Sequence, residues 1–560
     1  MSNYYDLGNY QRPIATASPD AHLWFNRGLI WCYAFNQEEG VRCFRRAAEF
    51  DADCAIAYWG IGYAKGPFYN LLWTDFTATE LEDVVVTCHE AARKALALGD
   101  RASPVEQALI RALTRRYQSG RVVGYDVLQA WIDDYAVAMA EVYAAFPDDF
   151  DVIALYAEAL MTRTPWKLWD VDEGVPAEGA DTLEAIAVLE RGMRLVEQRG
   201  AAPHPGLVHM YIHAMEMSPT PEKALPAADA LRDLVPDGGH LRHMPSHIDV
   251  LCGRYVEAIT ANDKAIAADK KFLDLAGPHD FYTTSCCHDF HLKMYAAMFA
   301  GRFQSALEAI DGVTELLSED VLRNDQPYTA ATLEGYYSMK MHVLVRFGKW
   351  REIVEAPLPT DAELYCVTIA MHHYAKGVAN AALGNIEAAE REKIAFEAAV
   401  ANIADDRFFF NNFAADIMAV ARAMLDGELA YRKGAHDVAF ADLRRAAALS
   451  DRLHYTEPWA WMHPPRHALG ALLLERGHVE EAARVYAADL GLSDELNRCC
   501  QHPDNVWSLH GYVECLRRQR RDAEADAIQP RLDAALAACD VPIGASCCCR
   551  GMTLANGRSA

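Results

Sequence analysis

The chain has 560 residues and a formal net charge of −26, which argues against nucleic acid as a partner, since phosphates call for a basic face. Hydrophobic residues make up 52%, yet no apolar run is long enough for a membrane-spanning helix. The first residues, MSNYYDLGNYQRP, lack the basic start and apolar stretch of a signal peptide. A cytoplasmic protein is therefore expected, with its 15 cysteines read as reduced thiols.

In chain order, paired amphipathic helices come first. Trp24, Gly28, Phe44 and Ala47 mark one pair that ends at Asp51, and Tyr58, Ile61 and Gly62 open the next helix. Residues 67–200 fit the pattern least, with longer helices and an insert, 162–182, rich in Trp, Pro and acidic residues. A histidine-rich block spans 201–305. A turn glycine followed by an aromatic or apolar residue and then small residues recurs at Gly253/Tyr255/Ala258, Gly301/Phe303/Ala306 and Gly348/Trp350. It continues at Gly384/Ile386/Ala389, Gly434/Ala439/Ala446 and Gly477/Ala482/Tyr486, and closes at Trp507/Gly511/Ala523.

These positions resemble the tetratricopeptide (TPR) repeat, whose helix pairs bury their apolar faces only by stacking on neighbours. The resemblance implies an all-α helix-turn-helix solenoid, wound as a right-handed superhelix. One continuous array is expected over 1–545, followed by a cysteine-containing tail at 546–560. The stretches 24–36, 211–217, 243–248 and 462–477 are similar to those of a group of large bacterial and fungal TPR proteins. That likeness implies the fold and no particular reaction.

The histidines carry the functional signal. His209 and His213 form an HxxxH pair, and His243 and His247 form a second one, displaced by the 34-residue period of the repeat. His240 precedes the second pair, and His288 and His291 follow in the next repeat. In the repeat frame these residues, with His342, His22 and His467, fall on the inner face. That is ten of the 21 histidines, where chance would put about two. Imidazoles at i and i+4 project from one helix face and can converge on one ion, and imidazole-rich sites suit Fe, Cu or Zn.

His209, His213, His243, His247, His288 and His291 are therefore the expected ligands of one or two transition-metal ions. The paired HxxxH helices are similar to those of type-3 copper proteins such as tyrosinases and hemocyanins, in spacing alone. Glu216, one turn beyond His213, is expected as a ligand or as the carboxylate that orients one, and Glu158 as a second catalytic carboxylate. Arg466, His467, Trp459 and Tyr295 are the expected substrate contacts.

No phosphate loop, nucleophile elbow or dinucleotide fingerprint occurs, so no nucleotide cofactor is indicated. The expected function is a metal-dependent reaction on a small organic substrate in the concave groove, oxidoreductase favoured over hydrolase. The alternative is a TPR scaffold that binds a protein or peptide along the same groove. Duplication of a repeat explains the first two histidine pairs without function, but not the shifted positions of His288 and His291. The run Cys547-Cys548-Cys549 could bind a metal or form a redox pair.

Overall fold

The computed structural model describes residues 4–323 and 327–550, without side chains for 327–330 and 332. Residues 551–560 of the expected tail lie outside the described residues. The described residues hold twenty-six α-helices and two short antiparallel hairpins, so the chain is all-α, as the TPR pattern implies. No helix among them is long and apolar enough to cross a membrane.

Contacts divide the chain into two compact units. One comprises Met1–Ile248, Asp263–Cys286 and Gln326–Tyr328, the other Asp249–Asn262, Cys287–Asp325 and Thr329–Ala560. They are called unit 1 and unit 2.

Unit 1 opens with a helix at Pro19–Tyr33, started by Pro19 and capped by Ser18, whose hydroxyl accepts from the Ala21 amide. Its partner, Gln37–Phe50, is capped by Asn36. The two helices bury Phe25 against Phe44, and each buried aromatic contributes roughly 2–3 kcal/mol. The insert at 162–182 breaks the helical pattern, as its composition suggested. It folds as a two-stranded hairpin, Trp169–Asp170 paired with Val175–Pro176. The Trp169 indole N–H donates to the Ala214 carbonyl at 2.8 Å, tying the hairpin to the Pro205–Glu216 helix.

Unit 2 carries the regular repeats. Its helix pairs include Cys366–Ala382 with Ile386–Val400, Ala414–Arg432 with His436–Asp451, and Pro465–Glu475 with Val479–Asp489. The turn glycines that set the repeat, Gly253, Gly301, Gly348, Gly384, Gly434 and Gly477, all have φ between 63° and 85°. A side chain makes that backbone region unfavourable by about 1–2 kcal/mol, which is why glycine recurs there. The pair Pro19–Tyr33 and Gln37–Phe50 makes the same turn with Phe35, at φ 53°. That exception lies at the candidate site.

Candidate metal centre

The Pro205–Glu216 helix packs among four others in unit 1, Pro19–Tyr33, Phe150–Met161, Thr182–Gln198 and Leu225–Leu231, and every one of its residues is buried. Gly206 lets it approach that closely: a Cβ there would lie 2.6 Å from the Tyr33 ring. Along one face it presents His209, His213 and Glu216, at spacings of four and three residues. His240 and His243 sit on the short Gly239–His243 helix. His247 follows on Pro245–Leu251, whose first residue has no N–H to continue the previous helix.

These five imidazoles form a single buried nest, each at most 3% exposed. The outer nitrogens of three of them are pinned. His209 Nδ1 donates to the Tyr33 carbonyl at 2.7 Å. His213 Nδ1 and His247 Nδ1 donate to the two oxygens of Glu216, at 2.7 and 2.5 Å. A ring whose Nδ1 carries the proton keeps a lone pair on Nε2 when neutral. Burial holds His209 and His213 in that neutral form, with the His213 pKa pushed down to about 3 and that of His209 well below its ordinary value.

Two of the three Nε2 atoms meet other imidazoles. His209 Nε2 lies 3.2 Å from His240 Nε2, and His247 Nε2 lies 2.6 Å from His243 Nε2. His213 Nε2 is buried with no hydrogen-bond partner. One nitrogen each from His209, His213 and His240 lie within 4.8 Å of one another. Nitrogens on a tetrahedral ion at about 2.1 Å stand about 3.4 Å apart, so small ring rotations suffice to close this triangle on an ion. A buried imidazole with its Nδ1–H on a carboxylate or carbonyl is the usual outer support of a metal ligand.

The nest is not open to solvent. Phe35 covers it, with its ring centroid 4.4 Å from His209 and stacked at 5.5 and 5.2 Å on His213 and His240. Phe68 packs on Phe35, and Tyr69 on His213. The imidazoles are thus closed over by aromatic rings, which bury large apolar area against them. Phe35→Gly relieves about 1–2 kcal/mol of backbone strain but removes a ring worth about 3–5 kcal/mol. The expected net effect is a loss of about 2–3 kcal/mol in urea unfolding, with the nest newly reactive toward a water-soluble histidine-modifying reagent.

Phe35 was not singled out from sequence. The signal available was a phenylalanine where the repeat elsewhere places glycine.

Of the remaining expected site residues, Glu158 belongs to unit 1 and the others to unit 2. Glu158 is buried in unit 1, where it accepts from the Thr162 hydroxyl at 2.9 Å, and burial raises its pKa against the opposing charge of Arg116. His288 and His291 belong to unit 2. His291 Nε2 meets the Met462 sulfur at 3.0 Å, and its ring stacks on Phe410, another non-glycine residue at positive φ.

The four expected substrate contacts have their polar atoms taken up within unit 2. Arg466 forms a fork on both oxygens of Asp451, and the Trp459 indole donates to the Ser450 carbonyl at 3.0 Å. His467 bridges Arg346 and Asp489, and the Tyr295 hydroxyl meets His502 Nε2 at 3.0 Å.

Burial also holds His342 and His467 of unit 2 neutral, with pKa values pushed down to about 3 and about 4. The unfolded chain binds protons at these groups first, below its ordinary histidine pKa of about 6.5. Their stability contribution is therefore full above about pH 6.5 and is lost as pH falls toward 4. Each is expected to cost about 2 kcal/mol at pH 5, and urea midpoints at pH 7.5 and 5 measure it. His342→Asn should flatten that dependence.

No family model matches the chain, and no curated protein matches it. Among solved structures it is similar to yeast Tom70, at 12% identity, over 89% of this chain and 96% of that one, with a TM-score of 0.29. It is similar to the APC/C hetero-tetramer Cut9-Hcn1 at 12% identity, over 86% and 74%, with a TM-score of 0.29. For Naa15/Naa10 bound to HypK-THB the values are 13%, 92%, 70% and 0.21. Likenesses this distant carry no argument about activity or partners. The helix pairs and their turn glycines decide the class. The chain is an all-α array of helix-turn-helix pairs.

Proposed function

We propose that this protein holds a transition metal in the histidine nest of unit 1 and uses it on a small reactant. One observation carries the reading: Tyr33 and Glu216 pin Nδ1 of His209, His213 and His247, which leaves Nε2 as the lone-pair nitrogen of each ring, buried in the nest. Imidazole nitrogen selects Fe, Cu or Zn over Mg or Ca. The supply of several imidazoles under an apolar cover favours oxidoreductase over hydrolase chemistry, and it restricts the reactant to a small molecule. Glu216 acts as a positioning residue through the two rings it holds.

The second reading is a scaffold for a protein or peptide. It is favoured by a pocket of about 350 Å³ in unit 1, lined by Glu38, Arg42, Arg45, Lys65, Asp280 and Phe281, charges of both signs beside an aromatic ring. A peptide-binding pocket predicts affinity without metal.

Elemental analysis of the purified protein and zinc titration after chelation test the first reading. We expect one or two ions per chain. Glu216→Gln should weaken binding about 10- to 100-fold, because an amide cannot accept from two Nδ1–H groups as a carboxylate does. His209→Ala/His213→Ala should abolish it while far-ultraviolet circular dichroism stays intact. Absence of stoichiometric binding in the wild type would leave the scaffold reading.

A further inference from the structure

The cysteine run near residue 548 plays no part in the nest, yet the fold of unit 2 holds it firmly. Arg346 donates to the Ser546 carbonyl at 3.4 Å, and the Tyr486 hydroxyl meets the Ser546 hydroxyl at 2.5 Å. Arg432 donates to the Cys549 carbonyl at 2.6 Å, and Arg550 forks onto Glu514. Four side chains from elsewhere in unit 2, Arg346, Tyr486, Arg432 and Glu514, thus fix a short segment that carries three thiols.

The thiols are not equivalent. Cys547 and Cys549 are drawn together by the Cys549 amide, which donates to Cys547 Sγ at 3.4 Å. Cys548 turns the other way, against the backbone at Gly348. Cys547 and Cys549 border a cavity of about 30 Å³ that is also lined by Arg346, Tyr374, Glu428 and His463. Such a volume takes about two water-sized groups. The Tyr374 hydroxyl and His463 Nε2 are both buried and have no hydrogen-bond partner, so the cavity wall offers polar atoms with nothing in the protein to satisfy them. Arg346 brings a buried guanidinium.

We propose that Cys547 and Cys549 are a peroxide-reactive thiol pair, with Cys547 as the attacking sulfur, Cys549 as the resolving one, and the cavity as the seat of the peroxide. The Cys547 thiolate sulfur attacks one peroxide oxygen and the O–O bond breaks. The leaving hydroxide takes a proton from the medium and departs as water, leaving Cys547 as a sulfenic acid. The Cys549 thiol then attacks that sulfur and the S–O bond breaks. Hydroxide leaves with the thiol proton as a second water, and a disulfide remains. The thiol pair gives up two electrons and one peroxide is reduced to two waters; a small dithiol reverses the oxidation.

The electrostatics agree with this division of roles. The hydrogen bond from Cys549, and after it the charge of Arg346, lowers the Cys547 pKa, whereas burial raises that of Cys549 and pushes Cys548 up to about 11.

The test treats the full chain with one equivalent of hydrogen peroxide at pH 7, then alkylates, digests and maps the cysteines by mass spectrometry. We expect the Cys547 and Cys549 thiols to be lost together, with loss of two hydrogens, at least about tenfold faster than the other cysteines. Dithiothreitol should restore them. Cys549→Ser should accumulate a sulfenic acid that a 1,3-diketone traps, and Cys547→Ser should do neither. Both variants should melt within a few degrees of the wild type, which shows that the segment stays docked. Equal oxidation of all cysteines, or a disulfide from Cys547 to Cys548 or Cys539, overturns the proposal.

Discussion

Asp489→Ala is expected to destabilise unit 2 by about 4 kcal/mol or more, the largest single-residue effect outside the apolar core. This carboxylate is fully buried and accepts four side-chain hydrogen bonds. One oxygen takes His467 Nε2 at 2.9 Å, Asn505 Nδ2 at 2.9 Å and the Ser508 hydroxyl at 2.6 Å. The other takes His502 Nδ1 at 2.8 Å. Both imidazole partners are satisfied further out, since Arg346 donates to His467 Nδ1 at 2.6 Å and the Tyr295 hydroxyl to His502 Nε2.

Burial opposes the charge on Asp489, but the hydrogen bonds from His467 and His502 hold its pKa well below the usual carboxylate range. Alanine leaves four buried donors without an acceptor, each worth about 1–3 kcal/mol. Asp489→Asn keeps the shape but turns an amide N–H₂ toward donors, so it should recover only part of the loss. Urea unfolding followed by circular dichroism measures both variants. A change under about 1 kcal/mol in Asp489→Ala would show that the network is not a keystone of the unit.

Metal is expected to stabilise unit 1 by a comparable amount. An ion that binds the folded nest and not the unfolded chain adds about 4 kcal/mol when its concentration is a thousand times its dissociation constant. Zinc should raise the melting temperature of the chelated protein by several degrees, and a chelator should reverse it. The double variant His209→Ala/His213→Ala should melt identically with and without zinc.

The sign of the pH dependence follows from the ligands. Protonated imidazole cannot ligate, but burial holds His209 and His213 neutral well below pH 6.5, so the zinc-dependent increment should be full at pH 7.5, persist at pH 5, and fade only toward the lowered His213 pKa of about 3. Equal melting curves in zinc and chelator at pH 7.5, for wild type and variant alike, would remove the metal from the proposed function.

The residues of the chain were enough to determine the fold class and to single out four of the five imidazoles of the nest; His240 was noted on the inner face but not among the expected ligands, and His288 and His291 belong to unit 2. Turn glycines recur with an aromatic or small residue at fixed offsets, and a helix pair cannot exist without such a turn, so local chemistry alone announces the repeat. His209, His213, His243 and His247 were legible for the same reason. His209 and His213, four apart, share a helix face; His243 and His247 lie one repeat on, where Pro245 divides the segment into two short helices that still bring the two rings together.

Tertiary structure decided what those histidines meet. Glu216 was legible as a neighbour of His213, but its second oxygen reaches His247 on a different helix, a contact 31 residues away in sequence. The cover is likewise non-local. Phe35 reaches the nest from the first turn of the chain, and only packing determines which ring fills that space. The expected substrate contacts show the same limit from the other side. Arg466, His467 and Tyr295 are polar residues with reactive-looking neighbours, yet partners distant in sequence, Asp489 and His502 among them, occupy their hydrogen-bonding atoms. Periodicity reports which face a side chain leaves a helix on; burial and hydrogen bonding depend on whatever packs opposite, which the helix's own sequence does not contain.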